Sequence, residues 1–478
     1  MFDRSLMSYL RQLAAEEPQK PLLGSERGWY SAAQTLEAVE AAGLSLVSRG
    51  LMPGDFAALR AERCPETALM IFALRAAGAV VVLTDPRQRI GDALSECEIG
   101  IPLRAQIKHK DGAVFSVQID GREELLCIGR APSGTALPEC DPAAPAFVIF
   151  TSGSTGRSKA VVQSEANYIS NLIDSRPLGW YSGDDVALGA LPLAHVFGLV
   201  LLCGAAVLRY ALFFPSKTDP ASLLRCIEQE RITRMNGVPS LYLTMAEHSA
   251  GCDLSSLRAG FIGGGPVNAS QFGRIERVLG ITLISVYGMS ECIGIACSSF
   301  RDPQEVRSSG VGRVYPMNTI RIVDTDGNEV EPGRAGEICV RGPMRMLGYY
   351  GDPMPEDVFF PTGDLGYLDT AGVLHLSGRK KDVIIRNGVN LSARRIEDAL
   401  LHLPGVRAAA VVGLPDEKEG EVPCAMVVGQ TNEDALRSLL RKNELPAGIL
   451  QAEELPMTSS GKPDKQRIRE VLLAWLNS

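Results

Sequence analysis

Residues 56–86 read "FAALRAERCPETALMIFALRAAGAVVVLTDP", and the order of textures in that stretch decides the fold. "FAALRA" is a short, apolar, β-prone run. An alanine-rich helical stretch follows from Pro65, and "AVVVLTDP" reads as a second strand. Strand, helix, strand at this spacing predicts a βαβ unit, because parallel neighbours need a crossover long enough to hold a helix. The same texture continues through "ALGALPL", "RMNGVP", "AGFIGGGP" and "TLISVYGMSE", each a strand-like run ending on Gly, Pro or a polar residue. The fold class is therefore α/β. Ligands in open α/β sheets gather at the carboxyl ends of strands, so these run ends are where a site is expected.

Beyond about residue 300 the texture changes. "IRIVDTDGNEVEPGRAGEICVRG" sets an Asp-Gly turn between alternating runs and reads as hairpins. A basic cluster, Arg379, Lys380 and Lys381, then precedes Asp382. After it come a helix in "ARRIEDALLHLPGV" and strands in "RAAAVVGLP" and "PCAMVVG". This predicts a large N-terminal domain of layered α/β sheets over residues 1–378 and a smaller C-terminal α+β domain over 383–478, with the boundary at 379–382.

At 478 residues the chain exceeds one ordinary core, in keeping with two domains. Apolar content of 45% with 22% charged residues is that of a folded protein. A net charge of -8 argues against a nucleic-acid-binding surface. A small anionic substrate stays open, since it needs only local positive charge. The N-terminal "MFDRSLMSYLRQLAAEEPQK" carries early acids and no apolar core of signal-peptide length, so no secretory signal is expected. "VFGLVLLCGAAVL", between His195 and Arg209, is too short to cross a bilayer and reads as a buried helix. "ALMIFALRAAGAVVVL" is broken by Arg75, so no transmembrane segment is expected. Eleven cysteines are scattered without a Cys-x-x-Cys pair or a nearby histidine cluster. They read as small hydrophobes in a reducing cytoplasm rather than as disulfides or a zinc site.

Four stretches carry chemistry. In "PAFVIFTSGSTGRSKA" a buried strand leaves through Thr151, Ser152, Gly153, Ser154, Thr155 and Gly156 and closes on Lys159. Exposed N–H groups, hydroxyls and one cation suit a polyphosphate, although the spacing is not that of a P-loop. In "VYGMSECIG", Tyr287 and Gly288 end a strand, followed by Ser290 and Glu291. An aromatic face can stack on adenine, a hydroxyl can donate to phosphate, and a carboxylate can hold Mg²⁺. In "PTGDLGYLD", Asp364 sits in a glycine-flanked turn, where a carboxylate can accept both hydroxyls of a ribose. "LPMTSSGKPDK" offers Lys462. Each has a plainer alternative: a solvated loop, a core tyrosine with a capping serine, an Asx-turn, a surface lysine.

Their order is more specific than any one of them. "TSGSTGRSK", "LPLAHVFGL", "GGGP", "YGMSE", "GEICVRGPMRMLGYY", "PTGDLGYLD", "LSGRKKDVIIRNGVN" and "SSGK" follow one another from roughly residue 28 to 467. In this the chain resembles the adenylate-forming superfamily of acyl- and aryl-CoA ligases, firefly luciferase and peptide-synthetase adenylation domains. It is closest in motif style to the acyl- and aryl-CoA ligases. The resemblance implies a carboxylate activated by MgATP to an acyl-adenylate, with release of pyrophosphate. A thiol, CoA in the ligases, then takes the acyl group. It further implies that Thr151 to Lys159 is the phosphate loop, and that Gly264, Gly265 and Pro266 lie beside the adenine and the acyl group. Tyr287 would stack on the adenine, Ser290 would contact phosphate, and Glu291 would hold Mg²⁺. Asp364 would bind the ribose, Arg379 the ribose or α-phosphate, and Lys462 would be the catalytic lysine. Lys381 would be the hinge about which a mobile C-terminal domain swings Lys462 out and the Gly388 segment in. Ser158, Ala160, Ser290 and Lys465 depart from the usual proline, glycine, threonine and arginine, and "RNGVN" is an unusual form of the thiol-facing segment.

His195 in "LPLAHVFGL" resembles the histidine that flanks the carboxylate pocket of those ligases. No acid lies between Asp185 and Asp219, which disfavours a free α-amino acid. The apolar surroundings favour an uncharged fatty or aryl acid. A carrier-protein phosphopantetheine is the alternative acceptor to CoA, and an inactive nucleotide-binding relative is the non-enzymatic alternative.

Overall fold

The computed structural model describes residues 4–88, 90–95, 101–128, 135–152, 158–458 and 463–476. The stretch at 56–86 folds as a βαβ unit. Strand Phe56–Arg60 pairs in parallel with Val80–Thr84, Phe56 opposite Val80, across helix Pro65–Ala76. Pro65 takes the first helical turn, where a missing N–H costs nothing. Every residue of that helix is buried, including Arg75. The arginine that interrupts the apolar run meets Glu165 at 2.8 Å, both side chains no more than 2% exposed.

Among the described residues the strands form two nine-stranded sheets, one of four and one of five. The first has a parallel centre in the spatial order Leu103–Asp111, Phe56–Arg60, Val80–Thr84, Pro145–Ser152. The second has a parallel centre running Thr282–Met289, Ala259–Ile262, Arg234–Gly237, Val186–Leu188, Ala211–Phe213, Pro21–Ser25. The strand order leaves its sequence order in both, and such departures open a crevice beyond the carboxyl ends of strands. The largest core joins the two, with Phe72, Phe147, Leu199 and Phe261 among its members. The apolar run after His195 is the helix Val196–Leu208, buried from Gly198 onward.

Antiparallel pairing takes over after residue 313, in a sheet of Thr319–Val323, Gly336–Arg341, Phe360–Leu368 and Leu374–Arg379. The Asp326–Gly327 turn closes only the small bridge Val323–Glu329, and the long strand pairs instead with Gly336–Arg341. A single 3₁₀ turn, Lys380–Asp382, leads on to strand Val383–Arg386. The small C-terminal unit has two cores of its own, drawn from residues 384–472. It is tied back by Ser392 Oγ, which donates to the Ser377 carbonyl at 2.7 Å. Lys465 Nζ adds a second tie, bridging Asp382 at 3.1 Å and the buried Glu397 at 2.9 Å.

Ten cysteines are described and all are free. Cys203, Cys226, Cys292, Cys297 and Cys424 are buried as small hydrophobes, as expected. Cys64 is different, because the fold sets it 4.0 Å from His109, a meeting that linear spacing hides. Among the described residues no helix is long and apolar enough to cross a membrane.

Candidate active site

Strand Pro145–Ser152 turns back as Ser158–Ser164, with Thr151 opposite Lys159 and Ser152 opposite Ser158. Lys159 therefore stands on the returning strand and not in the loop, because Ala160 and Val161 beside it are held in the core. Gly153, Ser154, Thr155 and Gly156 lie outside the described residues, as does Lys462. The segment 346–350 stitches this strand to the Glu291 turn: Leu347 N–H donates to Val162 O at 2.9 Å and Met346 N–H to Glu291 O at 2.8 Å. That places Tyr349 between two charges. Lys159 Nζ lies 4.6 Å from its ring centroid, and its hydroxyl donates to Glu291 Oε1 at 3.0 Å. Burial, reinforced by the Glu291 charge, pushes the Tyr349 phenol well above its usual range, so the hydroxyl stays a donor. Among the described residues no hydrogen bond is made to the second Glu291 carboxylate oxygen, which can therefore take a ligand. A hard oxygen of this kind could hold Mg²⁺.

Asp364 sits directly opposite Arg379 in the antiparallel register of Phe360–Leu368 and Leu374–Arg379. Its Oδ1 accepts from Arg379 Nε at 2.9 Å and its Oδ2 from the Tyr287 hydroxyl at 2.8 Å. Asp364 and Tyr287 are buried, while the Arg379 side chain is 46% exposed. Each carboxylate oxygen accepts up to two hydrogen bonds, so each keeps one acceptor position, although Asp364 stands behind Tyr287 and Arg379 and not in the wall of the cleft. Burial first, then the Asp364 charge, holds the Tyr287 phenol far above its ordinary value.

His195 caps helix Val196–Leu208 with extended backbone and no side-chain cap bond. The first helical N–H groups and the positive end of the helix dipole therefore sit beside its ring. Gly198 makes the tight turn possible, since a Cβ there would lie 2.1 Å from the Pro192 carbonyl oxygen. Asp85, at the end of Val80–Thr84, lines the same space. Arg87 clamps it through Nε at 3.0 Å and a terminal nitrogen at 2.6 Å. The Arg87 hydrogen bond, with a smaller contribution from His195, holds the Asp85 carboxyl below its usual range. An acid thus does reach this end of the cleft, from a strand far from residues 186–218. The Arg87 clamp already matches its charge.

These groups converge. One cleft of about 860 Å³ is lined by Thr151, Lys159, His195, Gly264, Tyr287, Gly288, Ser290, Glu291, Arg379 and Lys381, with Asp364 immediately behind Tyr287 and Arg379. Desolvation, with the Arg379 charge, holds the Lys381 ammonium below its ordinary value. Thr458 also lines the cleft. Gly265, Pro266 and Asp364 do not line it, and neither does Gly388. The side chain of Ser152 lies outside the described residues. Gly388 and Asn387, both at positive φ, form the exposed two-residue turn of a hairpin in which Arg386 faces Val389. Reading along the chain missed Tyr349 and Asp85, although both lie in quoted runs: Tyr349 closes "GEICVRGPMRMLGYY" and Asp85 ends "AVVVLTDP". It also missed Asn171, Trp180 and Tyr315, which have no local motif.

The fold and this cleft are those of an AMP-binding enzyme. The family model of that description matches residues 10–350, and the AMP-binding enzyme C-terminal domain matches residues 395–462. The chain belongs to this adenylate-forming superfamily of ligases. It is 31% identical to a feruloyl-CoA synthase of Amycolatopsis sp, over 89% of this chain and 90% of that protein. It is 30% identical to a salicyl-AMP ligase / salicyl-S-ArCP synthetase of Mycobacterium tuberculosis, over 92% of this chain and 85% of that protein. Among solved structures it superposes on o-succinylbenzoate coenzyme A synthetase of Bacillus subtilis in complex with ATP and magnesium ion. The TM-score there is 0.82 at 25% identity, covering 97% of this chain and 99% of that one.

Proposed function

We propose that this enzyme activates an uncharged carboxylic acid with ATP and transfers the acyl group to CoA. One observation carries the reading: Lys159–Tyr349–Glu291, Asp364–Tyr287–Arg379 and His195 at a helix N-terminus open on a single cleft. In the first step a carboxylate oxygen of the acid attacks the α-phosphorus of ATP. The bond to the β-phosphate oxygen breaks, and pyrophosphate leaves. Asp364 anchors the ribose, Tyr287 backs the adenine, and Lys159 with the phosphate loop holds the leaving phosphates. The helix N-terminus beside His195 orients the carboxylate. Glu291 would hold Mg²⁺, which would supply charge neutralisation for the phosphates. Lys462 and Arg379 stabilise charge building up between carboxylate and α-phosphate, an arrangement that lowers a barrier by positioning and electrostatics.

In the second step the thiol sulfur attacks the acyl carbonyl and AMP leaves. Residues 379–382 serve as the hinge, with the large domain at 1–378 and the mobile one at 383–478. Rotation about Lys381 withdraws Lys462 and brings in the Gly388 hairpin, so that one cleft serves two reactions. Free thiols fit a reducing cytoplasm. A second reading, acyl transfer to a carrier protein, is favoured by two observations. One relative is a salicyl-S-ArCP synthetase, and the Gly388 hairpin exposes Ile385 and Val389 at 53% and 49%.

The test is mass spectrometry of reactions holding MgATP, CoA and a panel of aliphatic and aromatic acids. Acyl-CoA is the expected product. Acyl-adenylate without CoA thioester would move the acceptor to a carrier protein, and no adenylate with any acid would reject the reading.

A further inference from the structure

Away from the cleft, the fold gathers side chains that can bind a metal. Strand Phe56–Arg60 pairs in parallel with Leu103–Asp111, Leu59 opposite Ile107. Two residues past Ile107, His109 lies alongside the turn that leaves the first strand, which carries Glu62 and Cys64 and enters helix Pro65–Ala76. Glu66 follows in the first turn of that helix. One donor atom from each of Cys64, Glu66 and His109 lies within 4.8 Å of the other two. None of these residues, nor Glu62, lines the cleft that holds Tyr287 and His195. The spacing hides the cluster, because the histidine comes 45 residues after the cysteine.

Two features of the cluster ask for a cation. Glu66 is only 8% exposed, and among the described residues no lysine or arginine forms an ion pair with it; its polar neighbours are the Tyr30 phenol, Cys64 and His109. A carboxylate taken out of water is costly unless it is paired or binds a metal. His109 is oriented for a ligand as well. Its Nε2–H donates to the Gly112 carbonyl at 2.9 Å, since a carbonyl can only accept. Nδ1 then faces the cluster, 3.1 Å from Glu62 Oε2 and 4.0 Å from Cys64 Sγ. A lone pair and a carboxylate this close need a proton or a metal ion between them. A backbone carbonyl on the remote ring nitrogen is the arrangement that fixes metal-ligating histidines. A proton on Nδ1 answers Glu62 and leaves Glu66 without a partner of its own, whereas an ion held by all of them answers both.

We propose that Cys64, Glu66 and His109 bind a zinc ion, with Glu62 in the fourth position. A thiolate, an imidazole and carboxylates suit zinc, whereas magnesium takes oxygen ligands. Bonds of about 2.0–2.3 Å set tetrahedral donors roughly 3.3–3.7 Å apart, a contraction from the present spacing that side-chain rotation can supply. Binding releases the Cys64 thiol proton, and any proton on His109 Nδ1, to solvent. The ion pins the turn from which Arg63 donates to the Ala190 carbonyl at 3.0 Å and to Thr218 Oγ1 at 3.4 Å. It thereby braces the first large sheet against the second, beside the segment that leads to His195.

The experiment uses the full chain, stripped with a chelator, desalted, and titrated with zinc chloride or cobalt(II) chloride alone. The proteins are wild type, Cys64→Ser, His109→Gln and the control Cys252→Ser, each checked by its metal-free thermal midpoint. Wild type and control should take up stoichiometric zinc and gain thermal midpoint with it, because an ion that binds only the folded state stabilises that state. With cobalt they should show the near-ultraviolet sulfur-to-metal charge-transfer band, and Cys64→Ser should lose it. Both ligand variants should bind zinc more than about tenfold more weakly, since even outer-shell partners are worth that much. A measurement on wild type alone covers a variant that fails to fold: zinc should suppress iodoacetamide labelling of the half-buried Cys64, read by peptide mass spectrometry, and leave that of Cys252 unchanged. Substoichiometric zinc, cobalt binding without the charge-transfer band, or equal Cys64 labelling with and without zinc overturns the proposal. Zinc affinity unchanged in Cys64→Ser marks an adventitious surface site and overturns it too.

Discussion

Asp364→Asn isolates the ribose contact without changing side-chain volume. In the native protein the two carboxylate oxygens accept from Arg379 at 2.9 Å and Tyr287 at 2.8 Å, and each has one further position for a ribose hydroxyl. A hydrogen bond to a charged group is worth about 1.5–3 kcal/mol against about 0.5–1.5 for a neutral pair, so the amide forfeits about 1–1.5 kcal/mol per hydroxyl. Two hydroxyls give about 2–3 kcal/mol, or roughly 30- to 150-fold in the KM for ATP. The lost Arg379 pair adds little, because that side chain is 46% exposed and screened. The assay is pyrophosphate exchange, run with ATP and 2′-deoxy-ATP on both proteins. Removing the 2′-hydroxyl should cost the wild type roughly tenfold and the variant much less, a coupling of about 1–1.5 kcal/mol in the double-mutant cycle. An equal cost in both proteins would refute the contact.

Tyr349→Phe removes the hydroxyl that holds Glu291 at 3.0 Å and leaves the ring under Lys159 in place. The concentration of Mg²⁺ needed for half-maximal exchange should rise about tenfold, read from magnesium titrations at saturating ATP. Arg75→Met strips the only described cation from Glu165 and leaves a buried carboxylate, which should cost about 3–5 kcal/mol in urea denaturation. Adding Glu165→Gln should recover most of that loss. Hydrogen bonding to Cys64, with further bonds to the Gly112 carbonyl and Glu62, outweighs burial and pushes the His109 imidazole up to about 10. Its folded pKa lies above the unfolded value of 6.5, so its stabilisation is complete below pH 6.5 and is lost as the pH rises through about 10. The unfolding free energy of the metal-free protein from urea titrations should therefore fall between pH 7 and 10 by up to about 1.4 kcal/mol per pH unit, and His109→Gln should flatten that slope. An unchanged slope would contradict the assignment.

The α/β layers were legible because their signal is local. An apolar strand, an alanine-rich helix and a second strand announce themselves within residues 56–86, and the carboxyl ends of such strands are where Asp85, Tyr287 and Gly264 turn up in the cleft. Contacts set by strand register were not legible. Nothing near Asp364 says that Arg379 will lie opposite it, and Lys159 sits on a strand where a loop was expected because the core claims Ala160 and Val161. Tyr349 illustrates the same limit. Its link to Glu291 depends on backbone bonds from the 346–350 segment to two other elements, neither of them adjacent in sequence. Buried polar atoms such as Trp180 Nε1 are harder still, since a tryptophan in a sequence reads as core whether or not its N–H finds a partner.

The central claim is that an acid oxygen, and no other nucleophile, displaces pyrophosphate from ATP in this cleft. An accepted acid labelled with ¹⁸O in both carboxylate oxygens, supplied with MgATP and CoA, tests this directly. Its adenylate carries one label in the new P–O bond, so thiol attack at the carbonyl should release AMP containing one ¹⁸O. The account predicts singly labelled AMP in step with thioester formation. Unlabelled AMP, or thioester formed without labelled AMP, would contradict it.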